Sequence, residues 1–288
     1  MLSAKPPIHV VRDAVARALA EDLTPIGDVT SELLDPEVAG SGSFVARDAG
    51  RLAGTACLLE SFGQLDPTVR VELRLADGAA LEPGVVVADV AGPLASILTA
   101  ERTALNFLCH LSGIATLTAA YVARAAAGGP AQVWDTRKTT PGLRTLEKAA
   151  VRAGGGRNHR GNLSDWVLLK DNHITGIGIT EAVRRSRDRW PARTVHVECD
   201  RLDQVDEAVE AGATAILLDN MSPAEVREAV AAIGGRCLVE ASGGGTLDTI
   251  AEYAATGGDL ISVSRITQSA PAIDIGLDLV SHAGSGQA

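Results

Sequence analysis

The sequence predicts an α/β protein built on a parallel barrel, with a glycine-punctuated antiparallel region ahead of it. Three observations carry that reading. Short apolar runs recur at roughly 20- to 30-residue intervals through the second half of the chain, the length of a βα unit. Segments of helical period lie between them and end in glycine, as in LDQVDEAVEAGA, SPAEVREAVAAIGG and LDTIAEYAATGG. Charged or polar groups come after nearly every run. A barrel explains this best, because its strand ends converge on one mouth. In a doubly wound sheet only the groups at the switch point would meet.

Each element is predicted from local pattern. Val11, Val15, Ala18 and Leu19 recur at helical spacing, which predicts an amphipathic helix from Ile8 to Asp22. In GDVTSELL, Asp28 and Thr30 read as a turn, with Thr30 or Ser31 capping the next segment. The stretches SGSFVARDAGRLAGTACLLE and TVRVELRLADGAALEPGVVVADVAGPL alternate and are broken by glycine, which predicts short antiparallel strands with a hairpin turn at ADGAALEPG. A long Ala- and Leu-rich helix is expected over 100–126, with Gly113 as its weak point. The parallel strands are expected at 132–134, 166–169, 194–197, 215–218, 237–239 and 260–263.

Composition narrows the function. A chain of 288 residues with net charge -10 offers no broad basic face for a polyanion, so nucleic-acid binding is disfavoured. A focused cationic pocket remains compatible with that charge. Cys57, Cys109, Cys199 and Cys237 are scattered without metal-ligand spacing and read as reduced thiols. No apolar run approaches the roughly 20 residues of a membrane span, and MLSAKPPIHVVRD has no apolar signal segment. A cytoplasmic location is the resulting expectation.

The chemistry concentrates between Asp135 and His173. Arg137, Lys138, Arg160 and Lys170 make a local cationic site within an acidic molecule, suited to a small, highly charged anion. His159 lies just after three glycines, and its pattern fits ligand contact or a structural hydrogen bond equally. Glu198 and Asp219 each end an apolar run. Carboxylates in such a site suit ribose hydroxyls or a divalent metal bridging phosphates, and a salt bridge to Lys138 or Lys170 is compatible with either role. EASGGGT, with Ser242, Gly243 and Gly244, is a glycine-rich turn leading into a helix, a common late-strand phosphate site. Arg102 opens a helix whose dipole does not favour it there, which points to a partner elsewhere.

Taken together, TAERTALNFLCHLSGIAT, DTRKTTPGLRTLEKAAVRAGGGRNHR, LLKDNH, VECD, ILLDN, EASGGG and the closing IDIGLDL resemble the quinolinate phosphoribosyltransferases, the decarboxylating nicotinate-nucleotide pyrophosphorylases of NAD biosynthesis. The resemblance covers nearly the whole chain. It implies an N-terminal α/β sandwich domain (1–112, with the tail 271–288 returning to it) and an incomplete, seven-stranded α/β barrel (113–270). It implies a homodimer or a multiple of dimers with shared active sites, in which Arg102 reaches the neighbouring site. By motif, Arg102, Arg137, His159 and Arg160 would hold the quinolinate carboxylates. Lys138 and Lys170 would face the phosphates and the reacting centre. Glu198 and Asp219 would bind ribose hydroxyls and the Mg²⁺-linked pyrophosphate of phosphoribosyl pyrophosphate, and Ser242, Gly243 and Gly244 would cradle its 5′-phosphate. Ser264 and Gln268 fall where many members carry G-x-L-T-H-S; here the run is Ser264-Arg265-Ile266-Thr267-Gln268-Ser269. The competing readings are a same-fold paralogue of the molybdate-transport-associated type with another acceptor, a Schiff-base aldolase using Lys170, and a non-catalytic phosphate-binding barrel.

Overall fold

The computed structural model describes residues 5–282. They form two compact units that interleave along the chain. One comprises residues up to 117 with 139–155 and the segment from 269, and the other comprises 118–138 and 156–268.

The first unit opens with α1 (Ile8–Leu23), which buries Val11, Ala14, Val15 and Leu19 on one stripe and leaves its charged residues outside. The turn after it is capped by Asp28, not by Thr30 or Ser31. The Asp28 carboxylate accepts from the Thr30 and Ser31 amides and from the Ser31 and Thr99 hydroxyls. Next come β1 (Ala39–Ala46), β2 (Gly50–Arg51), α2 (Thr55–Leu65), β3 (Arg70–Leu73), β4 (Ala80–Leu81) and β5 (Val86–Pro93). TACLLESFGQL is therefore a helix, although it falls in the region expected to alternate as strands. Leu58, Phe62 and Leu65 lie at helical spacing, and Gly54 at φ 97° lets the chain turn into α2.

ADGAALEPG likewise makes two turns. Its middle is β4, which pairs with β2, while β3 and β5 pair with each other on either side of it. α3 (Leu94–Gly128) is 35 residues long and continues through Gly113. A Cβ at Gly113 would lie 2.1 Å from the Pro271 carbonyl oxygen, so glycine serves a close backbone approach there. α3 is long and apolar enough to cross a membrane by length and composition, yet 56% of its most apolar window is buried in the protein, as in a core helix.

The second unit carries β6 (Gln132–Trp134). α4 (Arg144–Ala153) returns to the first unit. β7 (Val167–Leu169), α5 (Asp171–Ile174), α6 (Ile179–Arg189), β8 (Val195–Cys199), α7 (Leu202–Glu210), β9 (Ala215–Asp219), α8 (Pro223–Ile233), β10 (Leu238–Ser242), α9 (Ile250–Ala254), β11 (Leu260–Ser262) and α10 (Arg265–Gln268) complete it. β12 (Ile275–His282), the IDIGLDL segment, pairs antiparallel with β1 in a sheet ordered β12-β1-β5-β3. Phe44 of β1 and Phe62 of α2 meet edge-on at 5.9 Å in the core beneath that sheet.

All six expected parallel strands are present, in the order β6-β11-β10-β9-β8-β7. A parallel bridge from Trp134 to Arg157 adds a seventh strand position beside β6. The sheet curls. β6 and β8 stand four places apart, about 19 Å in a flat sheet, yet the rings of Trp134 and His196 each lie within 6.4 Å of the His159 ring. β6 and β7 are not paired with each other, so the parallel sheet forms an incomplete barrel. Its helices are locally specified: α8 begins with a Ser222–Glu225 capping box and Pro223, and ends at Gly234 in the left-handed region.

Candidate active site

The loop after β6 is fixed from two sides. Asp135 is fully buried; it accepts from the His159 amide at 2.8 Å and from Asn158 Nδ2 at 2.6 Å. Thr136 Oγ1 accepts from the Lys138 amide at 3.0 Å and donates to Ser264 Oγ at 3.3 Å. The Lys138 carbonyl accepts from Thr267 Oγ1 at 2.8 Å. The DTRK loop and the SRITQ segment thus form one polar clamp that leaves the Lys138 side chain exposed. Ser264 turns its hydroxyl toward Thr136. Gln268 is exposed in the last turn of α10.

Arg160 is buried close enough to Arg137 to feel its charge. Burial first, and Arg137 second, lower the Arg160 pKa, while Asp165 and Glu240 oppose the shift. Lys170, at the end of β7, is ion-paired with Glu198, at the end of β8. That is the salt bridge the sequence allowed. Asp219 ends β9, and its carboxylate accepts from Asn220 Nδ2 at 2.7 Å. Glu198 and Asp219 therefore place oxygen donors at the ends of adjacent strands. Arg102 is exposed on α3 in the first unit.

The glycine-rich turn is shaped by its neighbours. Gly243 has φ 94°, and a Cβ there would lie 2.1 Å from Asn220 Oδ1. A Cβ on Gly244 would lie 1.9 Å from the Tyr253 hydroxyl. Thr249 Oγ1 donates to the Gly244 carbonyl at 2.8 Å, and Ser242 accepts from the Asn220 amide through its own carbonyl at 3.0 Å.

One constellation was not visible from sequence spacing. His159, His196 and Glu240, all buried, bring one ligand-type atom each within 4.8 Å of one another. His159 Nε2 lies 3.2 Å from Glu240 Oε2. Trp166 stacks on His196 at 5.0 Å and meets His159 edge-on at 4.9 Å. Burial lowers the His196 pKa to about 4, against the pull of Glu240, so its ring is neutral near pH 7. Trp134, Trp166 and His196 sit inside or beside apolar runs, where composition marks them as core. Only the curl of the barrel brings them together.

Comparison with known proteins supplies the family. The model for the quinolinate phosphoribosyl transferase C-terminal domain matches residues 114–278, and that for the N-terminal domain matches residues 28–112. A nicotinate-nucleotide pyrophosphorylase [carboxylating] of Mycobacterium leprae is 43% identical over 277 residues, covering 93% of this chain and 96% of its own. A quinolinate phosphoribosyltransferase [decarboxylating] of Nicotiana tabacum is 38% identical, covering 96% of this chain and 85% of its own. The solved structure of the nicotinate-nucleotide pyrophosphorylase from Francisella tularensis superposes with a TM-score of 0.92 at 36% identity, over 96% of this chain and 98% of that one. In sequence along nearly its whole length, and in fold, the chain belongs to the quinolinate phosphoribosyl transferase family.

Proposed function

We propose that the protein transfers the phosphoribosyl group of phosphoribosyl pyrophosphate to quinolinate with decarboxylation, giving nicotinate mononucleotide, pyrophosphate and CO₂ for NAD biosynthesis. Beyond family membership, the observation that carries this reading is the buried Arg160 within range of the Arg137 charge. A pyridine dicarboxylate supplies two carboxylates to match two guanidinium forks.

In this reading Arg137, Arg160 and His159 hold the acceptor, completed by Arg102 from a second copy in a homodimer or multiple of dimers. Ser242, Gly243 and Gly244 hold the 5′-phosphate, with Ser264 and Gln268 at its edge. Lys138 and Lys170 face the phosphates and the reacting centre. Binding exchanges the Lys170–Glu198 pair for new partners: Glu198 turns to ribose hydroxyls and Lys170 to the leaving group. Glu198 and Asp219 are oxygen donors of the kind Mg²⁺ prefers when phosphates complete its shell. Bound with pyrophosphate, Mg²⁺ would neutralise the departing charge.

The pyridine nitrogen attacks the anomeric carbon as the bond to pyrophosphate breaks. Alignment and charge stabilisation do most of the work. The positive ring nitrogen then stabilises the electron pair left at C2 when that carboxylate departs as CO₂, and that pair takes up a proton. No protein nucleophile is needed, so both lysines act electrostatically. The division into 1–112 with 271–288, and 113–270, and a cytoplasmic location belong to the same reading.

Calorimetry on Arg137→Ala tests the acceptor assignment. Quinolinate affinity should fall far more than phosphoribosyl pyrophosphate affinity, and equal losses would place Arg137 elsewhere in the site.

A further inference from the structure

The barrel interior holds a polar layer where such barrels ordinarily pack branched apolar side chains. Glu240, on β10, is fully buried, with His159 Nε2 at 3.2 Å and His196 Nδ1 at 4.0 Å from the same carboxylate oxygen. Its other oxygen, Oε1, and His196 Nδ1 are buried without a hydrogen-bond partner. A buried carboxylate so sparsely satisfied is costly to keep, and nothing in the packing of an apolar core requires it.

Glu240 in turn requires a donor. When the Glu240 carboxylate accepts, His159 Nε2 carries the hydrogen of that bond, which sets the ring's tautomer and orientation. Trp166 seals that orientation edge-on, and the Asp135 carboxylate pins the His159 amide from the other side. His159 is therefore held at backbone and ring by two buried carboxylates, one just after β6 and one in the middle of β10. The next residue is Arg160, which also feels the charge of Glu240. Glu240 lies on the strand that leads into the glycine-rich turn two residues later.

We infer that Glu240 is a positioning residue for the acceptor: through its hydrogen bond with His159 it sets the placement of the His159–Arg160 pair that receives the dicarboxylate. The inference rests on the proposed function and deepens it. Glu240 does not touch substrate. It selects for the acceptor and not for the phosphoribosyl donor.

The test is a double-mutant cycle of E240Q and H159N, with KM measured for both substrates. E240Q keeps an acceptor but loses the charge, so it should raise KM for quinolinate about threefold to tenfold, the difference between a charge-assisted and a neutral hydrogen bond, and leave KM for phosphoribosyl pyrophosphate within about twofold. In the H159N background the same substitution should add almost nothing, because its effect passes through His159. Equal rises for both substrates, or additive effects with H159N, would overturn the inference. So would a stoichiometric transition metal in the purified wild type that E240Q loses, since His159, His196 and Glu240 would then be a metal centre.

If E240Q does not fold, Glu240→Asp keeps the charge and withdraws it by one methylene, with the same acceptor-selective rise expected. If the wild type neither binds nor converts quinolinate, the proposed function fails, and the His159 ring decides the positioning claim separately. Spectra of ¹⁵N-histidine-labelled protein should show a protected Nε2–H in the wild type that is lost in Glu240→Ala. Its presence in both would refute the bond.

Discussion

Lys170 and Glu198 close an ion pair between the ends of the neighbouring strands β7 and β8, with the lysine side chain 43% exposed and the glutamate 15%. An exposed pair of this kind contributes at most about 1 kcal/mol to stability. Its value lies in what it holds ready, a cation and a carboxylate each able to exchange the other for substrate. Lys170→Met should therefore leave the melting temperature nearly unchanged while kcat/KM falls by a factor on the order of 100 or more. Parallel melting and steady-state kinetics would check this, and a stability loss matching the activity loss would make the pair structural.

Gly243 is constrained twice, by φ 94° and by Asn220 Oδ1, 2.1 Å from where a Cβ would stand. Gly243→Ala should cost about 1–3 kcal/mol through strain at that conformation. It should also raise KM for phosphoribosyl pyrophosphate more than KM for quinolinate, because the turn is assigned to the donor's phosphate. Equal effects on the two substrates would remove the turn from the phosphate site.

At Gly113 two effects compete. Replacing a mid-helix glycine by alanine ordinarily gains about 1 kcal/mol in helix propensity. Here the new Cβ would press on the Pro271 carbonyl oxygen at 2.1 Å, a backbone atom that cannot rotate away. Overpacking of that kind costs about 1–3 kcal/mol, so Gly113→Ala should lower the melting temperature. A rise would mean that the 271–272 segment moves aside freely.

Asp28 carries a pH dependence of known sign. The Ser31 hydroxyl first, then the Ser31 amide and the Thr99 hydroxyl, lower its pKa from 3.8 to about 2. A depressed carboxylate stabilises the folded state fully above its unfolded pKa, and that contribution is lost as pH falls from about 3.8 toward about 2. Asp28→Asn should be less stable at neutral pH, and its stability should change less across that acid window. Urea unfolding at several pH values measures both.

Much of this was legible in the sequence because single elements announced themselves. Each parallel strand is a short apolar run bounded by polar residues, and burial on both faces is the reason for that composition. α2 was hidden because Thr55-Ala56-Cys57-Leu58-Leu59 reads equally as strand or helix over five residues, and only Phe62 and Leu65 settle the period. The cations Arg137 and Lys170 stood out as candidates because charge just after a strand has few structural uses. The association of Glu240 with His159 and His196 was not, since it depends on which strands face each other inside a curled sheet. Nothing in local spacing records that. The Thr136–Ser264 hydrogen bond, 128 positions apart along the chain, was hidden for the same reason.

The central claim is the reaction, and one assay addresses it most directly: purified protein with quinolinate, phosphoribosyl pyrophosphate and Mg²⁺, monitoring nicotinate mononucleotide and CO₂ together, with nicotinate as a parallel acceptor. The account predicts equal amounts of both products from quinolinate and none from nicotinate. A folded protein that binds phosphoribosyl pyrophosphate yet forms neither product would contradict it and assign the arginine pair to another acceptor.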